Sequence, residues 1–213
     1  MKTSDHIVFI VDDDARIREA VSELLQSHGM CAIAYGSAGE YVRAAKPNLP
    51  TTIILDIELP DINGLDLQKQ MAEGESPPIV FITGHGDIPS SVRAIKHGAV
   101  DFLTKPFSDD DLMRAVRTGL TQDRRARLER VELAGLRERY ETLTPRERDV
   151  LPLVVSGLLN KQAAAELGIS EVTLQIHRRN VMQKMAAASL ADLVRKAERL
   201  HIPATHSRRA GEK

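Results

Sequence analysis

"TTIILDIELPDINGL", residues 51–65, is the stretch on which the fold of the first half turns. Ile53, Ile54 and Leu55 read as a buried strand, and Asp56 closes it with no evident partner. Burying a carboxylate costs several kcal/mol unless something compensates. Aspartate is also common as a helix N-cap or turn residue, and the chain runs on into Pro60, Asn63 and Gly64. On this stretch alone both readings of Asp56 stand.

Outward from it, strand-like runs recur at 7–11 (IVFIV), 30–35 (MCAIAY), 52–55 (TIIL), 79–82 (IVFI) and 101–104 (DFLT). Residues 15–27 place Ile17, Ala20, Val21, Leu24 and Leu25 at the i, i+3, i+4, i+7, i+8 spacing of one buried helix face, and Gly29 is a helix stop. Further helices are expected at 37–45, 64–72 and 88–97. A fifth, at about 109–120, is opened by Ser108 with Asp109, Asp110 and Asp111 in a first turn whose dipole favours acid. Five such units predict an α/β domain, a five-stranded doubly wound parallel sheet with helices on both faces.

Ligands of an open parallel sheet bind beyond the carboxyl ends of its strands. Strand one ends in Asp12, Asp13 and Asp14, strand three in Asp56, strand four in Thr83, strand five in Thr104-Lys105-Pro106. Crowded carboxylates repel, and a hard cation with oxygen ligands relieves them. Mg²⁺ suits one or two carboxylates plus water and phosphoryl oxygens. The set reads as a phosphoryl-transfer site, with Asp56 as nucleophile and Mg²⁺, Thr83 and Lys105 stabilising the transferring oxygens. Taken singly, Asp12–Asp14 read equally well as helix caps, Thr83 as a turn residue and Lys105 as a solvated lysine; their joint placement on strand ends favours the site. Seven histidines show no metal-ligand spacing, and His85 in TGHGD reads as a loop residue.

Residues 121–142 are charge-dense, and their few apolar positions (Leu128, Val131, Leu133, Leu136) predict an exposed helical linker with a weak break at Gly135. From Leu143 the pattern is purely helical. Thr144, Pro145 and Glu147 form a capping-box start, helices are expected at about 145–156, 160–167, 171–185 and 189–200, and Ser170 and Ser189 read as caps. Pro152 sits where it should cost a helical hydrogen bond. Residues 160–185 read as helix, turn at Gly168, helix. That is a helix-turn-helix, whose second helix enters the major groove. Leu174, Val181 and Met185 should face the core, leaving Val172, Gln175, Ile176 and Arg179 opposite, with Arg178 beside them. Arg suits guanine, Gln adenine, and an exposed Ile a thymine methyl. A solvated amphipathic helix is the competing reading, and an exposed Ile among arginines counts against it.

Bulk properties agree with two domains. Residues 1–122 carry 11 Lys and Arg against 18 Asp and Glu, residues 123–213 carry 18 against 12. An acidic half joined to a basic half suggests separate partners, nucleic acid for the second. The single Cys31, in an apolar run, excludes an internal disulfide and is expected to be a small buried hydrophobe. Early acid excludes a signal peptide, and no run reaches the ~18 apolar residues of a membrane span. The expected location is cytoplasmic.

Motifs VDDD (11–14), LDIELPDINGL (55–65), FITGHGD (81–87) and DFLTKPF (101–107) resemble the receiver domains of two-component response regulators. LTPRERDVL (143–151), NKQAA (160–164), Ile169-Ser170, Thr173, His177 and Lys184-Met185 resemble the LuxR-type helix-turn-helix, and the arrangement resembles the FixJ and NarL regulators, FixJ above all. The resemblance implies a flavodoxin-like receiver over 1–121, a helical linker over 122–142, the all-α DNA-binding domain over 143–202 and a disordered tail from 203. It implies Mg²⁺ on Asp12, Asp13, Asp56 and the main-chain carbonyl of Glu58, with Asp14 left as helix cap. Asp56 would accept phosphate from a sensor histidine kinase. Thr83 and Phe102 would be the switch residues, Phe102 lacking the hydroxyl of the more usual Tyr, and Lys105-Pro106 would be cis. The protein would bind double-stranded promoter DNA as a homodimer formed through residues 88–120, act with RNA polymerase, and be no enzyme beyond its own phosphorylation and dephosphorylation. The alternatives are a receiver switched without phosphorylation and a Mg²⁺-dependent aspartyl-phosphate phosphatase. The phosphatase reading is disfavoured by a nucleophile on strand three and the lack of a cap insertion.

Overall fold

A computed structural model of the chain describes residues 5–71, 76–84 and 88–203. His85 and, apart from Pro203, the expected disordered tail lie outside them. The chain divides into two compact units, residues 1–128 and 129–213.

In the first unit, β1 (Ile7–Val11), β2 (Cys31–Tyr35), β3 (Thr51–Asp56), β4 (Ile79–Thr83) and β5 (Asp101–Thr104) form one parallel sheet in the order β2-β1-β3-β4-β5. The helices between them are α1 (Ala15–Ser27), α2 (Ala38–Arg43), α3 (Gly64–Met71) and α4 (Ile88–Lys96), with α5 starting at Asp109. Successive strand residues point to opposite faces, so each central strand feeds two cores. Ile7, Phe9, Val11, Ile53, Leu55, Ile79 and Phe81 pack with Tyr41 of α2, Leu67 of α3 and Ala94 of α4. Val8, Ile10, Ile54, Val80 and Ile82 pack with Val21 and Leu25 of α1 and Leu112, Val116 and Leu120 of α5. Continuous apolar runs buried on both faces are what this architecture requires. Of the five residues expected on the inner face of α1, Val21 and Leu25 are buried and Ile17 and Leu24 partly so, while Ala20 is exposed at the margin. Cys31, expected to be buried, is half-buried, because β2 is an edge strand covered less completely than its neighbours.

Helix α5 departs from the expected short helix followed by an exposed linker. It runs from Asp109 to Glu141 without a break at Gly135. A glycine inside a helix costs only about 1 kcal/mol relative to alanine, and Leu136 beside it is fixed in the core of the second unit. Nor is the linker's first part free. Asp123 is buried, accepts the Thr51 amide at 2.8 Å and the Arg127 Nε at 2.6 Å, and Arg127 Nη1 donates to Asn48 at 2.7 Å.

The second unit contains the end of α5 with α6 (Pro145–Val155), α7 (Asn160–Leu167), α8 (Glu171–Lys184) and α9 (Leu190–Arg199). Its core joins Leu136 and Leu143 to Val150, Leu151, Leu174, Val181, Met185 and Leu193. It therefore takes in residues before the expected start at 143. The Thr144–Glu147 capping box forms, and the Ser170 and Ser189 hydroxyls cap α8 and α9. Gly168 turns the chain at φ 65°, a left-handed conformation costly for other residues. Helix α6 continues through Pro152 to Val155.

Candidate functional site

Strands β1, β3 and β4 end side by side, so the residues that follow meet on one sheet edge. Carboxylate oxygens of Asp12, Asp13 and Asp56 all lie within 4.8 Å of one another. Asp12 and Asp56 are buried. Lys105 Nζ donates to Asp12 Oδ2 at 2.7 Å and to Asp56 Oδ2 at 2.6 Å. Burial, the largest influence on Asp12, pushes its carboxyl above the ordinary aspartate range; Lys105 and the Asp14 amide oppose the rise, and Asp56 adds to it. Burial also works hardest against the Lys105 charge, but the two carboxylates together outweigh it and hold the ammonium above its usual value. Three carboxylates against one ammonium leave a local excess of negative charge on hard oxygen donors. That donor set fits a divalent cation of the Mg²⁺ type.

The loops explain how these groups are aimed. Asp12 Oδ1 accepts the Asp14 amide at 2.8 Å, and Asp14 caps α1 through Arg16 N, as the sequence implied. Asp56 Oδ1 accepts the Glu58 amide at 3.1 Å, and the Glu58 side chain is exposed. The loop then folds back so closely that a Cβ on Gly64 would lie 2.4 Å from the Asp56 carbonyl oxygen. Only glycine fits there without moving the backbone. Thr83 is buried at the end of β4, and its carbonyl accepts the Lys105 amide at 2.8 Å. Lys105-Pro106 is cis, as expected. Phe102 is half-buried against the core shared by α2, α3 and α4.

Sequence reasoning missed two supporting residues. Arg18 Nη1 donates to the carbonyl oxygens of Asp12 at 2.7 Å and Asp13 at 2.9 Å. Asp61 accepts the amides of Ala38 at 3.3 Å and Gly39 at 2.7 Å, tying the loop after β3 to the start of α2. The bond to Gly39, the strongest influence, helps hold its carboxyl below the ordinary range. Neither partnership leaves a local spacing signal; only the fold brings the groups together.

On α8, Leu174, Val181 and Met185 are buried, whereas Val172 and Ile176 are 68 % and 55 % exposed and Gln175 and Arg179 are exposed beside them. The two faces separate as the periodicity predicts. Arg178 is different: it is half-buried, and its Nη1 donates to Asn160 Oδ1 at 2.8 Å, bracing α8 against the start of α7.

Residues 8–117 match the model of the response regulator receiver domain, and residues 141–197 that of bacterial regulatory proteins of the luxR family. This chain is a response regulator of the LuxR-type DNA-binding class. Nodulation protein W of Bradyrhizobium diazoefficiens is 48 % identical over 202 residues, covering 94 % of this chain and 89 % of that one. The response regulator TodT of Pseudomonas putida is 45 % identical over 195 residues, covering 91 % and 86 %. The solved structure of the response regulator StyR superposes with a TM-score of 0.78 at 42 % identity, covering 92 % of this chain and 99 % of StyR. FixJ proteins are further relatives at 37–41 % identity. The resemblance read from the motifs is thus confirmed, and with it the α/β receiver fold and a helical DNA-binding domain. The regulator is a transcriptional one and no classical enzyme, which removes the phosphatase alternative. A receiver implies a sensor kinase as partner. Among the described residues, no helix is long and apolar enough to cross a membrane.

Proposed function

We propose that the regulator is phosphorylated on Asp56 by a sensor histidine kinase in a Mg²⁺-dependent reaction, then dimerises and binds promoter DNA. The observation that carries this reading is the buried Asp56 carboxylate, sharing Lys105 with Asp12 and lying beside Asp13. An Asp56 oxygen attacks phosphorus, the bond from phosphorus to the kinase histidine nitrogen breaks, and the imidazole leaves neutral with a proton taken from solvent. Asp12, Asp13, Asp56 and the Glu58 carbonyl would hold Mg²⁺, whose charge offsets that of the phosphoryl oxygens. Lys105 exchanges a carboxylate partner for a phosphoryl oxygen, and Thr83 donates its hydroxyl to another. Phe102, on the strand that leads into Lys105, packs without a hydrogen bond to relay. Dephosphorylation by water at the same site completes the cycle.

Dimerisation is assigned to residues 88–120, where α4 exposes Val92 and Ile95, each followed in the sequence by a cation, Arg93 and Lys96. Val172, Gln175, Ile176 and Arg179 would read bases in double-stranded DNA, and Arg178 would steady the helix near the backbone. Two copies one helical turn apart read a palindrome, and the bound dimer acts on RNA polymerase in the cytoplasm. The test is incubation with a small phosphodonor and Mg²⁺ followed by intact mass. One phosphoryl added to the wild type is expected. No addition, or an equal addition to Asp56→Asn, would reject the site.

A further inference from the structure

We propose that Arg18 is the positioning residue that aims the Asp13 carboxylate, an inference resting on the reading of the acid cluster as a Mg²⁺-dependent phosphoacceptor site. The three acids of that cluster are not equally supported. Asp12 is fixed by the Asp14 amide and by Lys105, and Asp56 by the Glu58 amide and by Lys105. The Asp13 side chain is exposed and makes no hydrogen bond or ion pair among the described residues. The direction in which it leaves the chain, along Cα–Cβ, is therefore set by its own backbone.

That backbone has left the sheet. β1 ends at Val11, and the Asp12 amide still reaches the Tyr35 carbonyl at 3.2 Å. Beyond it, the carbonyls of Asp12 and Asp13 are both taken by one guanidinium nitrogen of Arg18, at 2.7 and 2.9 Å. Arg18 is itself anchored in α1, its amide bonded to the Asp14 carbonyl at 3.1 Å. One side chain thus fixes the peptide planes on both sides of the Asp13 Cα, and with them the direction of its Cβ. A planar guanidinium suits this task better than an ammonium, because its donors are fixed relative to one another.

Arg18 can influence a cation in two opposite ways. As a charge beside the cluster it repels an incoming dication, so its removal would tighten binding. As a brace it holds a ligand in place, and losing such an outer support costs about 10–100-fold in metal affinity. The sign of the effect separates the two. The full-length protein, its Arg18→Ala and Arg18→Lys variants and Asp13→Asn are titrated with MgCl₂ by calorimetry, and the Mg²⁺ dependence of phosphorylation by a small phosphodonor is followed in parallel. The expected result is about 10-fold or more weaker Mg²⁺ binding by Arg18→Ala, with Arg18→Lys in between. The half-saturating Mg²⁺ for phosphorylation rises, while the rate at saturating Mg²⁺ returns close to wild type. Melting in chelator is expected to be alike for wild type and Arg18→Lys, so the intermediate affinity of the lysine variant carries the test even if Arg18→Ala folds poorly. Unchanged or tighter binding by the variants, with normal wild-type binding and its loss in Asp13→Asn, overturns the Arg18 assignment alone. Failure of the wild type to bind Mg²⁺ overturns the phosphoacceptor reading and this assignment together.

Discussion

Replacing Asp56 by Asn keeps the volume of the side chain and removes its charge, so the fold is expected to survive and the mass gain with phosphodonor, read by intact mass, to be absent. Gly64 offers a subtler test. Alanine there places a methyl carbon 2.4 Å from the Asp56 carbonyl, so the loop must shift and carry the acid with it. Gly64→Ala is expected to slow phosphorylation at least tenfold with the global fold intact by circular dichroism; an unchanged rate would show that the loop absorbs the methyl elsewhere. The principal acids and Lys105 were legible because each follows an apolar strand, and a parallel sheet gathers strand ends on one edge. Arg18 and Asp61 were not. Their partners are backbone groups, which every sequence has, and nothing in the residue pattern marks which of them a given side chain will meet.

Helix α8 carries the next prediction. With Arg179 exposed and Arg178 tied to Asn160, Arg179→Ala should cost roughly 1–3 kcal/mol on a specific site and relax discrimination at one base. Arg178→Ala should weaken matched and scrambled sites alike. Salt titrations on both sites tell them apart, and an equal loss on each from Arg179→Ala would rule out base reading. Helix α6 is fixed by a buried acid. Glu147 caps through Thr144 and bonds Lys184 Nζ at 2.6 Å. Burial is the largest influence and opposes the Glu147 charge, yet Lys184 and the Thr144 groups hold its carboxyl below the ordinary value of 4.5. A folded value below the unfolded one means stability that is present above about 4.5 and lost as pH falls through the depressed folded value. Glu147→Gln is expected to cost about 2–3 kcal/mol at neutral pH, tempered by the hydration left to Lys184, and to flatten the acid limb of a melting-temperature profile. The capping box was readable from Thr144, Pro145 and Glu147. The ion pair was not, because Lys184 is 37 residues away.

Two consequences belong to the whole molecule. Sedimentation with phosphodonor should show the mass of a dimer, and without it that of a monomer; an unchanged mass alongside proven phosphate on Asp56 would dispose of the dimerisation switch. The placement of Leu136 in the helical core also predicts that a fragment of residues 129–213 melts well above one of 143–213, since losing a buried Leu costs about 2–5 kcal/mol. Equal melting would remove Leu136 from that core. Composition located the change in character near Leu143 but not the structural boundary, because charged residues on a helix look alike whether one side of it is buried or not.

Helix α5 has one more consequence. Arg124, Arg125 and Arg130 give its middle several trypsin sites, yet a protease needs an extended chain, and here the chain is coiled and pinned on either side by Asp123 and Leu136. Cleavage will follow the population of locally unwound helix rather than the number of arginines. The rate at which trypsin splits the chain in this segment becomes a clock for the opening of α5, to be read with and without phosphodonor, with no label attached and no residue changed.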